Sequence, residues 1–403
     1  MAKEELANYF EDYLKKEPLF SNKKVLSANY TPETIPHREN EINKIAGILA
    51  PCLREDKPSN IFIYGKTGTG KTLSVKHVTN SMQEIIKKNS INVDIFYLNC
   101  KLKRVADTEY RLIAEVGRFL GINIPATGLP TDEVYKMFIN SLEKRNILLL
   151  LVLDEIDQLV SKSGDQILYN LTRLNSELKN SQISIVGISN DLMFTNYLDP
   201  RVKSSLSEEE LVFPPYNAMQ LQSILKERAK DAFGKGVIES GVLEKCAAYA
   251  AREHGDARRA LELLRVAGEL TERKNESNIS IGILDEAEEK IERDRVHDII
   301  TTQPKQSQLS LLAILQTSKA LGDKNMFTGD IYELYKEFCF TTKVKPLTQR
   351  RISDLIAELD MLGIINAKVV SKGRYGRTRQ ISLGIPPSTI PKVEGLLREG
   401  LNL

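Results

Sequence analysis

The sequence predicts an α/β fold: a core built on a parallel sheet, then a small all-helical domain, then a three-helix unit closed by a pair of strands. Three observations carry this. Short apolar runs at 61–64, 93–98, 147–153 and 183–188 alternate with helical stretches, the pattern of a parallel sheet with helical crossovers. From Asn217 to Arg293 the apolar residues keep helical spacing and no good strand is found. The last hundred residues carry three short helical patterns and strands at 364–370 and 380–383.

A chain of 403 residues is too long for one ordinary core. Four parts are expected: an N-terminal arm (1–30), mobile or wrapping; an α/β core (31–215); a helical domain (216–300); and a terminal domain (301–403), with the polar stretch Thr301–Gln308 as a linker. The composition, 41% hydrophobic and 27% charged, is that of a soluble globular protein. The net charge is only +2, so any nucleic-acid surface must come from local clustering. Cys52, Cys100, Cys246 and Cys339 lie far apart with no CxxC pair, which argues for buried free thiols rather than zinc or disulfides. The charged start (Lys3, Glu4, Glu5) lacks a signal-peptide pattern, and the apolar run Ile147–Leu153 is too short to span a bilayer. A cytoplasmic protein is expected, with no membrane partner.

In chain order, a turn-rich stretch from Thr31 to Glu39 leads into a helix marked by Ile42, Ile45 and Ile48. The strand at 61–64 runs directly into Gly65-Lys-Thr67-Gly68-Thr69-Gly70-Lys71-Thr72, a GxxxxGK[ST] phosphate loop, and a helix through Leu73, Val75 and Val78. Glycines let successive N–H groups curl towards phosphates, and the helix N-terminus adds positive partial charge. Lys71 is the candidate for the β- and γ-phosphates of ATP, or the β-phosphate of ADP, and the Thr72 hydroxyl for a Mg²⁺ ligand.

The run Leu148–Leu153 reads as a buried central strand and delivers Asp154 and Glu155 to the carboxyl edge of the sheet, beside the phosphate loop. Asp154 then belongs to the Mg²⁺ shell and Glu155 orients or activates the attacking water. A capping pair after a core strand is the bland alternative. The next strand ends in Gly187-Ile-Ser-Asn190-Asp191, where Asn190 either positions that water or is a simple turn residue.

Phosphate loop, Asp-Glu strand and Ser-Asn strand end, in this order, resemble an AAA+ ATPase. Leu198-Asp-Pro-Arg201-Val resembles the arginine-finger segment, and Gly255-Asp-Ala-Arg258-Arg-Ala resembles the sensor-two motif. The resemblance implies a γ-phosphate contact from Arg201 in trans and from Arg258 in cis. Taken alone, either arginine reads as a surface salt bridge, and Arg259 competes with Arg258 for the assignment.

The likeness is closer to archaeal replication initiators related to the eukaryotic origin recognition complex and the cell-division-control loader. Ile35-Pro-His-Arg-Glu-Asn-Glu-Ile, Asp-Glu-Ile-Asp157, Gly-Ile-Ser-Asn-Asp, Pro-Pro-Tyr216, Gly-Asp-Ala-Arg and Gly-Arg-Tyr-Gly-Arg-Thr follow one another, covering nearly everything beyond about residue 30. This resemblance implies that Tyr216 and Arg228 line the nucleotide pocket; without it they read as core packing and a solvated charge. It also implies binding of origin duplex DNA, recruitment of a replicative helicase, initiator paralogues as partners, slow ATP hydrolysis as a conformational switch, and a second DNA contact on an insertion that includes Lys101, Lys103 and Arg104. On sequence alone that insertion is an ordinary surface helix.

The terminal unit carries its own signal. Thr348–Leu362 is an amphipathic helix, with Thr348 placed to cap it, Gly363 to end it, and Ile352, Leu355, Ile356 and Leu359 on one stripe. Arg350 lies largely off that stripe. Lys372, Arg374, Tyr375, Arg377 and Arg379 fill the turn between two strands, and three helices before a basic hairpin make a winged-helix pattern. Between 343 and 379 nine basic residues, Arg351 among them, face three acidic ones, a surplus of +6 against +2 for the whole chain. A solvated hairpin is the alternative to a DNA-binding wing. A clamp-loader-like ATPase or a transcription regulator with an ATPase core would share the nucleotide motifs.

Overall fold

The computed structural model describes residues 18–28, 30–101, 108–125, 128–194, 198–206, 208–322, 326–371, 377–385 and 389–403. They form two compact units that divide at Leu284 and Asp285, within the helix Ile281–Thr302.

The first unit contains a parallel five-stranded sheet: β1 (Asn60–Tyr64), β2 (Val93–Asn99), β3 (Leu148–Asp154), β4 (Gln182–Ser189) and β5 (Glu208–Val212), in the spatial order β2-β3-β4-β1-β5. Side chains alternate across a strand. Ile61 and Ile63 of β1 therefore join the layer under helices Glu39–Leu49 and Lys71–Asn89, with Val75, Val78 and Met82. Phe62 and Tyr64 join the opposite layer, with Leu112, Phe138, Ile156 and Leu168 from four other helices. β3 is buried along its whole length, as a run of Leu and Val covered on both faces must be. The expected strands at 61–64, 93–98, 147–153 and 183–188 are all present within a residue of their ends.

Strand β5 has no counterpart among the expected runs. Its sequence, Glu-Glu-Glu-Leu-Val, has no apolar alternation; among the described residues it pairs with β1 alone and forms the sheet edge, where the exposed Glu209 and Glu210 discourage further pairing.

The helices Ala218–Ala232, Val242–Arg252 and Ala257–Lys274 form the expected helical region. The described part of the arm wraps onto it. Phe20 stacks on Phe233 at 4.8 Å between ring centroids, and Ser21 N donates to Ala232 O at 2.9 Å. Lys23 Nζ meets Glu269 Oε1 at 2.9 Å. Gly268 makes room: a Cβ there would stand 2.5 Å from Phe20 Cζ.

The second unit holds the expected winged helix. Helices Lys305–Leu321, Thr328–Thr341 and Gln349–Met361 pack around Leu309, Leu312, Ile331, Tyr335, Ile352 and Ile356, and the hairpin β7 (Ile365–Ser371) and β8 (Arg377–Leu383) follows. Thr348 caps the third helix by accepting from Arg351 N, and Gly363 follows it in the left-handed region at φ +72°. Two elements go beyond the expected pattern. A two-residue strand, β6 (Met326–Phe327), adds to β8, and a last helix, Ile390–Leu401, is clamped by Glu394, which accepts from Gln316 and pairs with Lys319 of the helix Lys305–Leu321.

The expected linker at Thr301–Gln308 is corrected. Helix Ile281–Thr302 and helix Lys305–Leu321 leave only Gln303 and Pro304 between them. The polar residues that suggested a linker serve the helix ends: the hydroxyls of Thr301 and Thr302 donate back to His297 O and Asp298 O, and Gln308 Nε2 donates to Ile300 O at 3.0 Å. Among the described residues no helix is long and apolar enough to cross a membrane.

Candidate nucleotide site and nucleic-acid interface

The carboxyl ends of β1, β3 and β4 converge on a cavity of about 820 Å³ between the sheet edge and the helical region. Its lining includes Gly68, Thr69, Gly70, Lys71, Thr72, Asp154, Glu155, Asn190, Tyr216, Arg228 and Arg258. Gly65 and Thr67 of the phosphate loop stand outside the lining, Thr67 as an exposed residue.

The loop needs its glycines at two positions. Gly68 and Gly70 have φ of +72° and +91°, and a Cβ on them would lie 1.6 Å from Asp256 Oδ1 and 2.8 Å from the Tyr216 hydroxyl oxygen. Between them Thr69 is buried, with Oγ1 donating to Lys66 O at 2.9 Å. Lys71 opens the helix and folds its ammonium back into the loop, donating to Gly65 O (2.6 Å), Lys66 O (2.8 Å) and Asn190 Oδ1 (2.9 Å). Burial pushes its pKa down to about 8, the Asp154 carboxylate opposing and Arg258 adding to the shift.

Asp154 is also buried. Its Oδ2 accepts from Thr72 Oγ1 at 3.0 Å and from the Tyr97 hydroxyl at 2.5 Å, and its Oδ1 accepts from Glu155 N at 3.0 Å. Glu155 stands in the left-handed region at φ +54°, unfavourable for a residue with a Cβ, which turns its carboxylate off the strand end. Lys101 Nζ lies 3.5 Å from Glu155 Oε2, so this member of the expected DNA-binding insertion stands beside the nucleotide site. Asn190 is more than a turn residue: its side chain accepts from Lys71, while its N–H and the Ser189 hydroxyl donate to Asp157 Oδ1 at 3.3 and 3.1 Å.

On the helical side Asp256 caps the helix Ala257–Lys274, accepting from Arg258 N and Arg259 N, and Ala257 N donates to Gly68 O at 3.2 Å. Arg258 lines the cavity, whereas Arg259 Nε donates to Glu253 at 3.0 Å, so only the first of the adjacent arginines is presented to a ligand. Arg228 reaches over the Tyr30 ring at 4.8 Å. Arg201 is absent from the lining. Its side chain is 85% exposed and forks onto Asp199 with two bonds of 3.1 Å.

The sequence assigns no role to three site residues: Tyr97, and Arg38 and Asp157, which stand there only within the family motifs. Arg38 is 2% exposed; Nε donates to Thr69 O at 2.8 Å, Nη2 to Pro214 O at 2.5 Å, and the guanidinium stacks on Tyr216. A charged residue in a turn-rich stretch gives no local sign that it will be buried.

In the second unit Arg350 and Arg351 lie exposed on the helix Gln349–Met361, with Arg351 loosely paired to Asp354 at 3.6 Å. Arg379 stands on β8 opposite Val369. Lys103, Arg104, Lys372, Arg374 and Tyr375 lie outside the described residues, and of Arg377 only the backbone position on β8 is described.

The donor set fits a nucleoside polyphosphate. A helix N-terminus, one ammonium and one guanidinium gather at the phosphate loop, and Ile35, Pro36, Ile224 and Leu261 supply an apolar wall further along the same cavity. The hydroxyl of Thr72 against the carboxylate of Asp154 suits a hard cation such as Mg²⁺.

Comparison with known proteins agrees with this layout. The model for an AAA domain matches residues 54–192, the Cdc6 AAA+ ATPase-type lid domain residues 222–289, and the CDC6 C-terminal winged helix domain residues 298–393. An ORC1-type DNA replication protein of Thermococcus onnurineus is 52% identical over 392 residues, covering 96% of this chain and 94% of the relative. That of Pyrococcus furiosus is 52% identical over 397 residues, 98% of this chain and 93% of the relative. The structure of the Aeropyrum pernix ORC1 protein in complex with DNA superposes with a TM-score of 0.82 at 44% identity, over 95% of this chain and 98% of that one. Phosphate loop, lid and winged helix thus recur in one order along near-full-length relatives, and this chain belongs to the family of ORC1-type DNA replication proteins.

Proposed function

We propose that this chain is an ATP-dependent replication initiator that grips duplex origin DNA and helps to recruit the replicative helicase, working in the cytoplasm on the nucleoid and beside initiator paralogues. The observation that carries this reading is the convergence of Lys71, Thr72, Asp154, Asn190 and Arg258 on one cavity, in a chain that ends in a winged helix. The Aeropyrum pernix ORC1 protein, whose structure is in complex with DNA, superposes over nearly the whole of this chain. The working division is an arm (1–30), a core (31–215), a lid (216–300) and a winged helix (301–403).

In this reading ATP or ADP lies along the cavity. Lys71 and the N-terminus of its helix hold the β- and γ-phosphates, and Tyr216 and Arg228 belong to the nucleotide pocket. Thr72 and Asp154 hold Mg²⁺, which neutralises phosphate charge. Glu155 orients the attacking water with Asn190 beside it, and Arg258 adds a guanidinium in cis. Arg201, exposed and away from its own cavity, is available to the site of a neighbouring copy. Turnover is slow, and nucleotide state sets the core–lid equilibrium that the DNA grip follows. Arg350, Arg351, Arg379 and the wing residues Lys372, Arg374, Tyr375 and Arg377 take the duplex, with Lys101, Lys103 and Arg104 as a second contact. The winged-helix match at 298–393 weighs against a clamp-loader subunit, which has no need of one.

Two measurements test this. Lys71→Ala should abolish high-affinity ATP binding in calorimetry; unchanged affinity would remove the phosphate-loop reading. Footprinting on genomic DNA should protect one or a few origin-like repeats, whereas protection spread over promoters would make the chain a transcription regulator.

A further inference from the structure

Tyr97 stands at the nucleotide cavity without a role in the reading above. It lies on β2, opposite Val152 of β3, so Asp154 is its diagonal neighbour on the same face of the sheet. That face is covered by the helix Lys71–Asn89, and Tyr97 and Lys76 both line the cavity. The phenol is held at two points. Its hydroxyl donates to Asp154 Oδ2 at 2.5 Å, and Lys76 Nζ sits 4.4 Å from the ring centroid. Lys76 follows Thr72 by four residues on one helix, so the residue that steadies the ring and the hydroxyl that meets Asp154 share a helix face.

An ionised carboxylate offers about four acceptor positions. Thr72 Oγ1, Tyr97 OH and Glu155 N take three of them on Asp154. The carboxylate can rotate only by breaking these bonds together, and the one acceptor position left is on Oδ1, next to the bond from Glu155 N. Without the phenol, Oδ2 would keep only the threonine hydroxyl, the group that must also turn a lone pair to the cation.

We propose that Tyr97 is a positioning residue for the divalent cation: it locks the Asp154 carboxylate against Thr72 before nucleotide and metal arrive. This rests on the nucleotide and Mg²⁺ reading of the same site. The rival account is that the phenol merely satisfies a buried acid, with no bearing on metal.

Tyr97→Phe removes the hydroxyl and keeps the ring, and its circular dichroism and melting temperature report whether the fold is kept. Binding of a fluorescent ADP analogue is titrated against free Mg²⁺ and repeated in EDTA. Mn²⁺ uptake by the ADP complex is followed by electron paramagnetic resonance, which needs no turnover. Removing such an outer partner of a metal ligand costs about 10–100-fold in metal affinity. The expected result is therefore a rise of roughly tenfold or more in the Mg²⁺ and Mn²⁺ half-saturation, with affinity in EDTA changed by about twofold at most. Coincident metal titrations for variant and wild type overturn the proposal, as does an equal loss with and without metal, which would mark Tyr97 as packing. If the wild-type chain binds no adenine nucleotide, or Mg²⁺ leaves its affinity unchanged, the parent reading falls and takes this one with it.

Discussion

The guanidinium carbon of Arg38 lies 3.9 Å from the centroid of the Tyr216 ring, and the same side chain bonds Thr69 O and Pro214 O. One buried arginine thereby ties the phosphate loop to the segment where core passes into lid. Arg38→Ala would leave two carbonyls without their donor, at about 1–3 kcal/mol for each buried group. ATP and ADP affinity should fall by roughly tenfold or more, since each 1.4 kcal/mol is a factor of ten. Arg38→Lys keeps the charge but has no fork with which to bridge both carbonyls, and should recover only part of the loss. Calorimetry on the three proteins decides this, and wild-type affinity in Arg38→Ala would reduce the residue to ordinary packing.

Lys71 gives the site a pH signature. Burial lowers its pKa from 10.5 to about 8. A lysine depressed in this way burdens the fold while charged, below about pH 8, and that burden fades as pH rises from 8 towards 10.5. Bound polyphosphate favours the ammonium and raises the pKa again, so binding should draw in a proton above pH 8, approaching one per site near about pH 9. Calorimetry of ADP binding in buffers of different ionisation enthalpy measures that uptake directly. Affinity should decline as pH climbs through 8, and Lys71→Arg should abolish the uptake while keeping a positive charge. A wild-type enthalpy independent of buffer at pH 9 would contradict this.

Much of this site could be read from the chain because its parts are local. A phosphate loop is one turn between a strand and a helix, and Asp154 and Glu155 end a run too apolar to be anything but a central strand. Thr348 and the stripe from Ile352 to Leu359 are likewise visible within one helix. What stayed hidden depends on distant partners. Strand β5 is defined by pairing with β1, and Arg38 is buried among Thr69, Phe213, Pro214 and Tyr216, all distant from it in the chain. Tyr97 reads as one more aromatic strand residue until β3 brings Asp154 alongside. The polar stretch at 301–308 misled because threonines that bond their own helix look, in sequence, like a linker.

The arm makes a separable prediction. Phe20 sits in the notch left by Gly268, and Lys23 and Lys24 follow it after Ser21 and Asn22. Burying a phenylalanine side chain is worth about 1.5–3 kcal/mol, so losing it should shift docking of the arm by roughly tenfold or more. Lys23 and Lys24 are exposed even in the docked arm, so Phe20→Ala and Gly268→Leu should act by loosening the backbone around them, and brief trypsin treatment should cut there faster than in the wild type. The glycine variant is the sharper of the two, because leucine favours a helix and would on propensity alone strengthen Ala257–Lys274. Equal protection of the arm in all three proteins would show that the Phe20 contact does not hold it.

On the winged helix, Arg350 and Arg351 stand in the first turn of Gln349–Met361, where a recognition helix of this class meets base edges. The two kinds of contact leave different traces. An arginine on phosphate contributes about 0.9 to the slope of log K against log salt, and its loss weakens all sequences alike. An arginine on a guanine costs about 1–3 kcal/mol at one base pair and relaxes the choice there. The double variant Arg374→Ala with Arg377→Ala should behave as the first kind, lowering the slope by roughly two. Arg350→Ala should behave as the second, keeping most of the slope and losing discrimination between origin and random duplex. Salt titrations on both duplexes separate the cases. If Arg350→Ala weakens both equally, the helix is only a backbone clamp and sequence choice lies elsewhere; if the wing variant leaves the slope untouched, the wing does not touch the phosphates.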